Sequence, residues 1–249
     1  MLSTLFNHRS IRKYKSNPID ESVLDEILQA GIRASNTGNM QVYSIIVTKN
    51  PEIKEKLWEQ HFKQDMVKQA PVVLTFCADF NRFNKWCELR NAKPGYDNFL
   101  SFYTATVDAV IAAQNVALAA EVHGLGICYL GTTNYTADKI CEILNLPEGV
   151  VPVTTLVVGY ADENPDLTSR LPESAIIHNE TYHDFSNEDI NEIYKELENS
   201  ELANNLVTEN GTENFAQIFT QKRYTRSNNI HFSNVLLNVI KKQKFMNNE

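Results

Sequence analysis

The 249-residue chain is short of several things, and each shortage removes a class of function. No stretch reaches the ~20 apolar residues that a membrane helix needs, so a membrane partner is not expected. Four cysteines (Cys77, Cys87, Cys128 and Cys141) show neither a CxxC pair nor Cys/His metal spacing. Cys77 and Cys128 lie inside apolar runs, where a buried free thiol is the ordinary outcome. A disulfide framework is therefore not expected, and a reducing, cytoplasmic location is. Positive charge is scarce: 23 Lys and Arg stand against 31 Asp and Glu, a formal net charge of -8. A phosphate backbone demands a basic surface, so nucleic acid is not an expected partner. His61, His123, His178, His183 and His231 show no ligand spacing, and no metal site is expected. There is no GxSxG nucleophile turn and no GxGxxG after a strand, so a Rossmann reading has no support. Nor does the N-terminus pair a basic start with an apolar run, so no signal peptide is expected.

What remains is an ordinary soluble composition, 43% hydrophobic, without repeats or low-complexity linkers. Val23, Leu24, Ile27, Leu28 and Ile32 recur at helical spacing and predict a helix over 21–34. Asp20 is placed to cap it, with Ile19 and Leu24 as a hydrophobic staple. The polar stretch 33–41 reads as a loop. Strands are predicted at 42–48, 71–79, 125–131 and 151–161, and helices after Asn50–Pro51 and over 136–146. Residues 104–123 form an alanine-rich helix that is apolar nearly all round, as a helix buried on most sides would be. Residues 81–102 read as an irregular, aromatic excursion or helical lid. Its Phe83, Trp86, Tyr96, Phe99, Phe102 and Tyr103 either wall a substrate pocket or pack a loop onto the core. Beyond 172 the apolar density falls, and helices are predicted over 187–201, 213–221 and 233–244.

Against this acidic background, "HRSIRKY" (8–14) concentrates cations just before the 21–34 helix. Alone, it reads first as a solvated turn with surface arginines. Together with the 36–41 loop, "FCADFNR" (76–82), "AAQNVALAAEVHGLGICYLG" (112–131) and "NPDLTSRLP" (164–172), it resembles the flavin-dependent nitroreductase family. Within that family the strings look like the larger, often NADPH-dependent group of nitroreductases and flavin reductases. The likeness covers about 6–182 and weakens beyond. It implies an α+β fold with a central, mainly antiparallel sheet between helices. It also implies one domain over 1–249, with 183–249 as a helical extension, and an intertwined homodimer holding FMN at its interface.

By that resemblance His8, Arg9 and Ser10 lie at the phosphate and ribityl end of FMN, joined by Arg170. Guanidinium groups suit a dianionic phosphate because they bind it in forked, charge-assisted geometry. Arg12 matches a cation at the flavin N1 and O2 edge, where negative charge gathers on reduction. Asn36, Thr37, Gln41 and Gln64 match contacts to the ring and ribityl chain. Leu130, Gly131 and Thr132 match a segment whose backbone approaches the flavin. Asn39 falls on the substrate side. Taken as bare residues, the same loop is an ordinary Asn/Gly turn, and a glycine ending a strand is common. Relatives often carry lysine two residues before the arginine of "SRLP". Here Thr168 stands there, with Lys13 as a substitute charge. Arg223 and Arg226 are candidates for contacting nicotinamide-nucleotide phosphate or acidic substrate, with a solvated helix end as the plain alternative. The resemblance thus implies an FMN-dependent oxidoreductase that takes hydride from NADPH or NADH and passes it, ping-pong, to a small-molecule electron acceptor. A flavin-binding or flavin-storing protein is the alternative, motivated by Thr168 and the unplaced C-terminal arginines.

Overall fold

Four strands make one antiparallel sheet: β1 Tyr43–Thr48, β2 Val72–Asp79, β3 Gly126–Leu130 and β4 Val150–Gly159, in the spatial order β1-β2-β4-β3. The structure is a computed structural model and describes residues 2–248. Every residue of the inner strand β2 is buried. Strand alternation sends its Val72, Leu74, Phe76 and Ala78 to one core cluster and Val73 to another. The β2–β4 register slips between Phe76 and Cys77, which lets Pro152 sit within β4.

Helices flank both faces: α1 Leu2–Phe6, α2 Glu21–Ile32, α3 Pro51–Gln60, α4 Met66–Gln69, α5 Asn81–Leu89, α6 Phe99–Val122 and α7 Ala137–Ile143. Leu24 and Ile27 of α2 and Ala105, Ala109 and Ala112 of α6 cover one face. Leu57, Met66, Val67 and Ile140 cover the other. The expected α+β arrangement, a mainly antiparallel sheet between helices, is what the chain adopts. By length and composition alone α6 could cross a bilayer, but its alanines are packed into this core.

Two compact units are present, one of residues 1–166 and 232–249 and the other of 167–231. The second contains α8 Asn187–Glu198, α9 Glu201–Asn210 and α10 Phe215–Gln217, followed by a wide turn with i→i+5 bonds at Ile218–Arg223. Ala203, Phe215 and Ile218 form its small core. The last helix, α11 Arg226–Lys242, begins in the second unit and ends in the first, where Val239, Ile240 and Phe245 join the main cluster.

Several sequence expectations need correction. Within 81–102 the helical alternative holds for α5 over Asn81–Leu89, residues 90–98 are irregular, and α6 starts earlier than expected, at Phe99, because the Asn98 side chain accepts from Ser101 N. Asp20 makes no side-chain cap, although Ile19 and Leu24 are both buried as a staple requires. The helix expected over 187–201 forms as α8 and ends at Glu198, and Ser200, accepting from Ala203 N, starts a further helix, α9, that the sequence reading did not anticipate. The helix expected at 213–221 is one α-turn and the wide turn, while that at 233–244 begins at Arg226 instead.

The cation-rich N-terminal segment lies along the sheet rather than in solvent. Ser10 bridges Ile127 in parallel, Ile11 N donates to Ile127 O at 2.9 Å, and Lys15 N donates to Tyr160 O at 2.9 Å. This requires a flat sheet surface. Gly126 and Gly159 face each other across β3 and β4. A Cβ at Gly126 would stand 2.7 Å from Ile11 Cγ1, and one at Gly159 would stand 2.9 Å from Tyr14 Cδ1. Ile11 and Tyr14 fill that space and are buried. Gly126→Ala is expected to cost about 1–3 kcal/mol by overpacking, read as a lower urea midpoint. Gly95→Ala, whose Cβ would meet nothing within 4 Å, is expected to change stability by less than about 0.5 kcal/mol. Equal midpoints for the two variants would contradict this packing.

Candidate active site

Anchoring Ile11 and Tyr14 inward leaves the alternate residues Arg12 and Lys13 exposed. The Tyr14 hydroxyl donates to Ile11 O at 2.7 Å and stiffens the turn between them. Arg9 Nη1 donates to Asn164 Oδ1 at 2.8 Å and to Pro165 O at 3.0 Å, tying "HRS" to the stretch after β4. His8 Nδ1 meets Glu121 Oε1 of α6 at 2.6 Å. Glu163 Oε1 accepts from the backbone of both Arg12 and Lys13, so its carboxylate is taken up by main chain. The Arg12 guanidinium reaches only the Ser10 carbonyl, at 3.5 Å. Among the described residues no carboxylate pairs with it. A guanidinium held this way is a charge available to a ligand. Beneath it, burial raises the pKa of the Cys128 thiol, with Arg12 and Ser10 opposing. Cys128 is therefore a packed thiol and not a nucleophile.

The 36–41 loop forms a second group. Gly38, Asn39 and Gln41 all have left-handed backbones, with φ of 56°, 55° and 54°. Such a path is costly for Asn and Gln unless it is held. Asn36 Oδ1 accepts from Gln41 N at 3.2 Å, and Gln41 Nε2 turns back onto Asn39. Thr37 donates from both N (2.9 Å) and Oγ1 (3.1 Å) to Asp108 Oδ1. Asp108 is buried on α6, and its Oδ2 has no partner among the described residues. Arg82 braces the other end by donating to the Gln41 carbonyl.

A third group joins the turn after α3 to the end of β3. Gln64 Nε2 donates to His61 O at 3.0 Å and lies 3.4 Å from Thr132 Oγ1. His61 Nδ1 lies 2.8 Å from the same hydroxyl. Leu130 is buried in the core, whereas Gly131 is exposed and a Cβ there would meet nothing within 4 Å. The protein's own packing does not require glycine at this point, which leaves room for a ligand to come close to the backbone.

Of the expected site residues, His8, Arg9, Ser10 and Arg12 thus share one sheet-bound segment. Asn36, Thr37, Asn39 and Gln41 share one loop, and Gln64 and Thr132 are in contact. Arg170 belongs to the second unit, where its Nη1 donates to Thr168 Oγ1 at 2.6 Å. Arg223 closes the wide turn and Arg226 opens α11, and both are exposed. Sequence reading missed Asp108, Arg82, Glu121 and His61 as supports. The available signal was a polar residue in an apolar setting, Asp108 in the alanine-rich helix; His61 lies among polar residues and carried no such signal.

Burial lowers the His61 pKa to about 4. The unfolded imidazole takes up its proton near pH 6.5, while the folded one resists down to about pH 4. Across that window the unfolded state binds more protons, so stability falls as pH drops. The loss is on the order of 3 kcal/mol. His61→Asn removes the titration. Urea unfolding from pH 7 to pH 4 should therefore fall less steeply for His61→Asn than for wild type. Parallel curves would contradict the buried neutral imidazole.

A model of the nitroreductase family matches residues 5–160. The FMN reductase (NADPH) of Bacillus subtilis (strain 168) is 34% identical over 183 residues, covering 73% of this chain and 74% of that protein. The NADPH-flavin oxidoreductase of Vibrio harveyi is 34% identical over 193 residues, covering 76% and 77%. A solved structure from Bacteroides fragilis NCTC 9343 is 48% identical with a TM-score of 0.97, covering 98% of this chain and 100% of that one. The family match spans the cation segment, the 36–41 loop and the Gln64–Thr132 contact, and the chain belongs to the nitroreductase family.

Proposed function

We propose that the chain is an FMN-dependent NAD(P)H oxidoreductase that passes hydride from NADPH or NADH to a small-molecule acceptor in two alternating half-reactions at one site. The observation that carries this reading is the strand-bound cation segment with an Arg12 guanidinium that no carboxylate among the described residues neutralises. The relatives named FMN reductase (NADPH) and NADPH-flavin oxidoreductase support it.

The residues present fit the cofactor. Arg9, Ser10 and Lys13 offer cations and a hydroxyl suited to a phosphate. Asn36, Thr37, Gln41, Gln64 and Thr132 offer the mixed donors and acceptors that a flavin ring edge and ribityl chain require. FMN, when bound, supplies the hydride-accepting and hydride-donating chemistry. Arg12 holds fixed positive charge where negative charge develops, which favours hydride acceptance without reorganisation. Glu163 and the Gly126–Gly159 surface hold the backbone that carries Arg12. The Thr37–Asp108 bonds keep the loop from collapsing into the ring space. No side-chain acid or base is needed for hydride receipt. Because donor and acceptor use the same face in turn, the kinetics are ping-pong. Asn39, exposed on the loop, faces the incoming acceptor.

Leu100, Tyr103, Val107, Val110 and Ile111 recur at helical spacing on α6 and are exposed in the single chain. A stripe of this kind supports the homodimer. The four free cysteines support a reducing, cytoplasmic setting.

The test is anaerobic titration of the FMN-loaded protein with each nicotinamide. Bleaching of the flavin by NADPH or NADH is expected. Arg12→Ala should retain FMN but be reduced more slowly, by on the order of tenfold to hundredfold. An unchanged rate would remove the role given to Arg12. Failure of wild type to bleach with either donor would leave a flavin-storing protein.

A further inference from the structure

His61 is a fully enclosed polar side chain beside the proposed ring contacts, with 0% exposure. It sits at the C-terminus of α3, where its N donates to Leu57 O at 2.9 Å. The next two residues, Phe62 and Lys63, both take left-handed backbones, with φ of 55° and 57°. Two successive bulky residues in that region are disfavoured and mark a turn that its surroundings hold in place. The turn is clamped to the segment beyond β3 at two points. Thr136 Oγ1 donates to Gln60 O at 3.0 Å, and Thr132 Oγ1 meets His61 and Gln64.

The hydrogen-bond inventory around Thr132 then settles its polarity. Gln64 Nε2 donates to the His61 carbonyl, which can only accept, so the orientation of that amide is fixed. The same Nε2 faces Thr132 Oγ1 as a donor. His61 Nε2 is buried and has no partner among the described residues. A buried orphan N–H is rarer and costlier than a buried unused lone pair. The proton therefore sits on Nδ1, which donates to Thr132 Oγ1 at 2.8 Å. Two donors now occupy the lone pairs of one hydroxyl oxygen, and its own proton must point elsewhere.

We propose that His61 is a positioning residue that, with Gln64, turns the Thr132 hydroxyl into a fixed hydrogen-bond donor toward bound FMN. The proposal rests on the FMN reading above. Thr132 is half-buried beside the open Gly131, so its proton has a ligand-facing direction available. A neutral imidazole is required for this arrangement, and the burial of His61 keeps it neutral at physiological pH. Flavin offers ring carbonyl and nitrogen acceptors, so a hydroxyl committed as donor discriminates in its favour over a ligand that presents an N–H there.

Two measurements on the FMN-loaded protein test it. Nitrogen-15 histidine NMR of wild type should show His61 as the Nδ1–H tautomer, and an Nε2–H tautomer would overturn the proposal without any mutation. FMN affinity, read by quenching of flavin fluorescence, then gives a double-mutant cycle. Thr132→Val should weaken binding roughly threefold to tenfold, the scale of one neutral hydrogen bond. His61→Leu should weaken it by a similar factor in wild type and have no further effect in Thr132→Val. His61→Asn, which places an amide N–H at the Nδ1 position, should restore affinity. Equal loss from His61→Leu in both backgrounds would overturn the role. Should His61→Leu fail to fold, the tautomer decides the question. Wild type that takes up no FMN would overturn the flavin reading itself and this proposal with it.

Discussion

The site depends on a steric permission: two glycines opposite each other on β3 and β4 let a third segment lie against the sheet. Ile11 occupies the space that a Cβ at Gly126 would have taken, and Tyr14 together with Pro71 the space of one at Gly159. Apolar burial of these side chains holds the segment, and backbone bonds to Ile127 and Tyr160 set its register. Hydrophobic burial thereby does electrostatic work. A chain of net charge -8 keeps a local knot of cations in one place because the residues between them are core residues. Glu163, the nearest acid to this segment, spends its carboxylate on backbone N–H groups rather than on the guanidinium of Arg12.

The other two groups follow the same pattern, in which a buried polar residue holds a less buried one. Asp108 fixes Thr37, and His61 fixes Thr132. Each support lies on a core element, α6 or the end of α3, and each held residue lies on a connecting segment. The left-handed residues of both segments, Asn39 and Gln41 in one and Phe62 and Lys63 in the other, are tolerated because these bonds over-determine the backbone. Rigid elements thus set the positions of groups that a loop alone would leave loose, which is what preorganised binding of a cofactor requires.

Much of the fold was legible in local sequence because its signals are local. The β-branched runs of β1, β2 and β4, the alanine-rich α6 and the Asn50–Pro51 start of α3 each announce themselves within about ten residues. The candidate site residues were legible only through resemblance, since taken alone an Asn/Gly turn and a basic heptapeptide read first as an ordinary turn and a solvated one. Of their supports only Asp108, a carboxylate in an alanine-rich helix, carried a local signal. Thr37 and Asp108 are 71 residues apart, as are His61 and Thr132. Pairings at that separation carry no periodicity. Helix α5 was only one of two readings of its stretch, because Phe83 packs on Phe80 and Tyr96 in an aromatic cluster that looks irregular in one dimension. Helix α9 escaped notice because Ser200, its cap, follows directly on the end of α8, so two helices lie in one acidic, weakly periodic stretch.

The central claim is that the sheet-bound segment 8–13 grips the phosphate of a flavin. Comparing equilibrium binding of FMN with that of riboflavin, which lacks only the phosphate, tests this most directly. The account predicts much tighter binding of FMN, with the difference shrinking as salt is raised, because charge-assisted bonds carry it. Equal affinity for the two at low salt would contradict it.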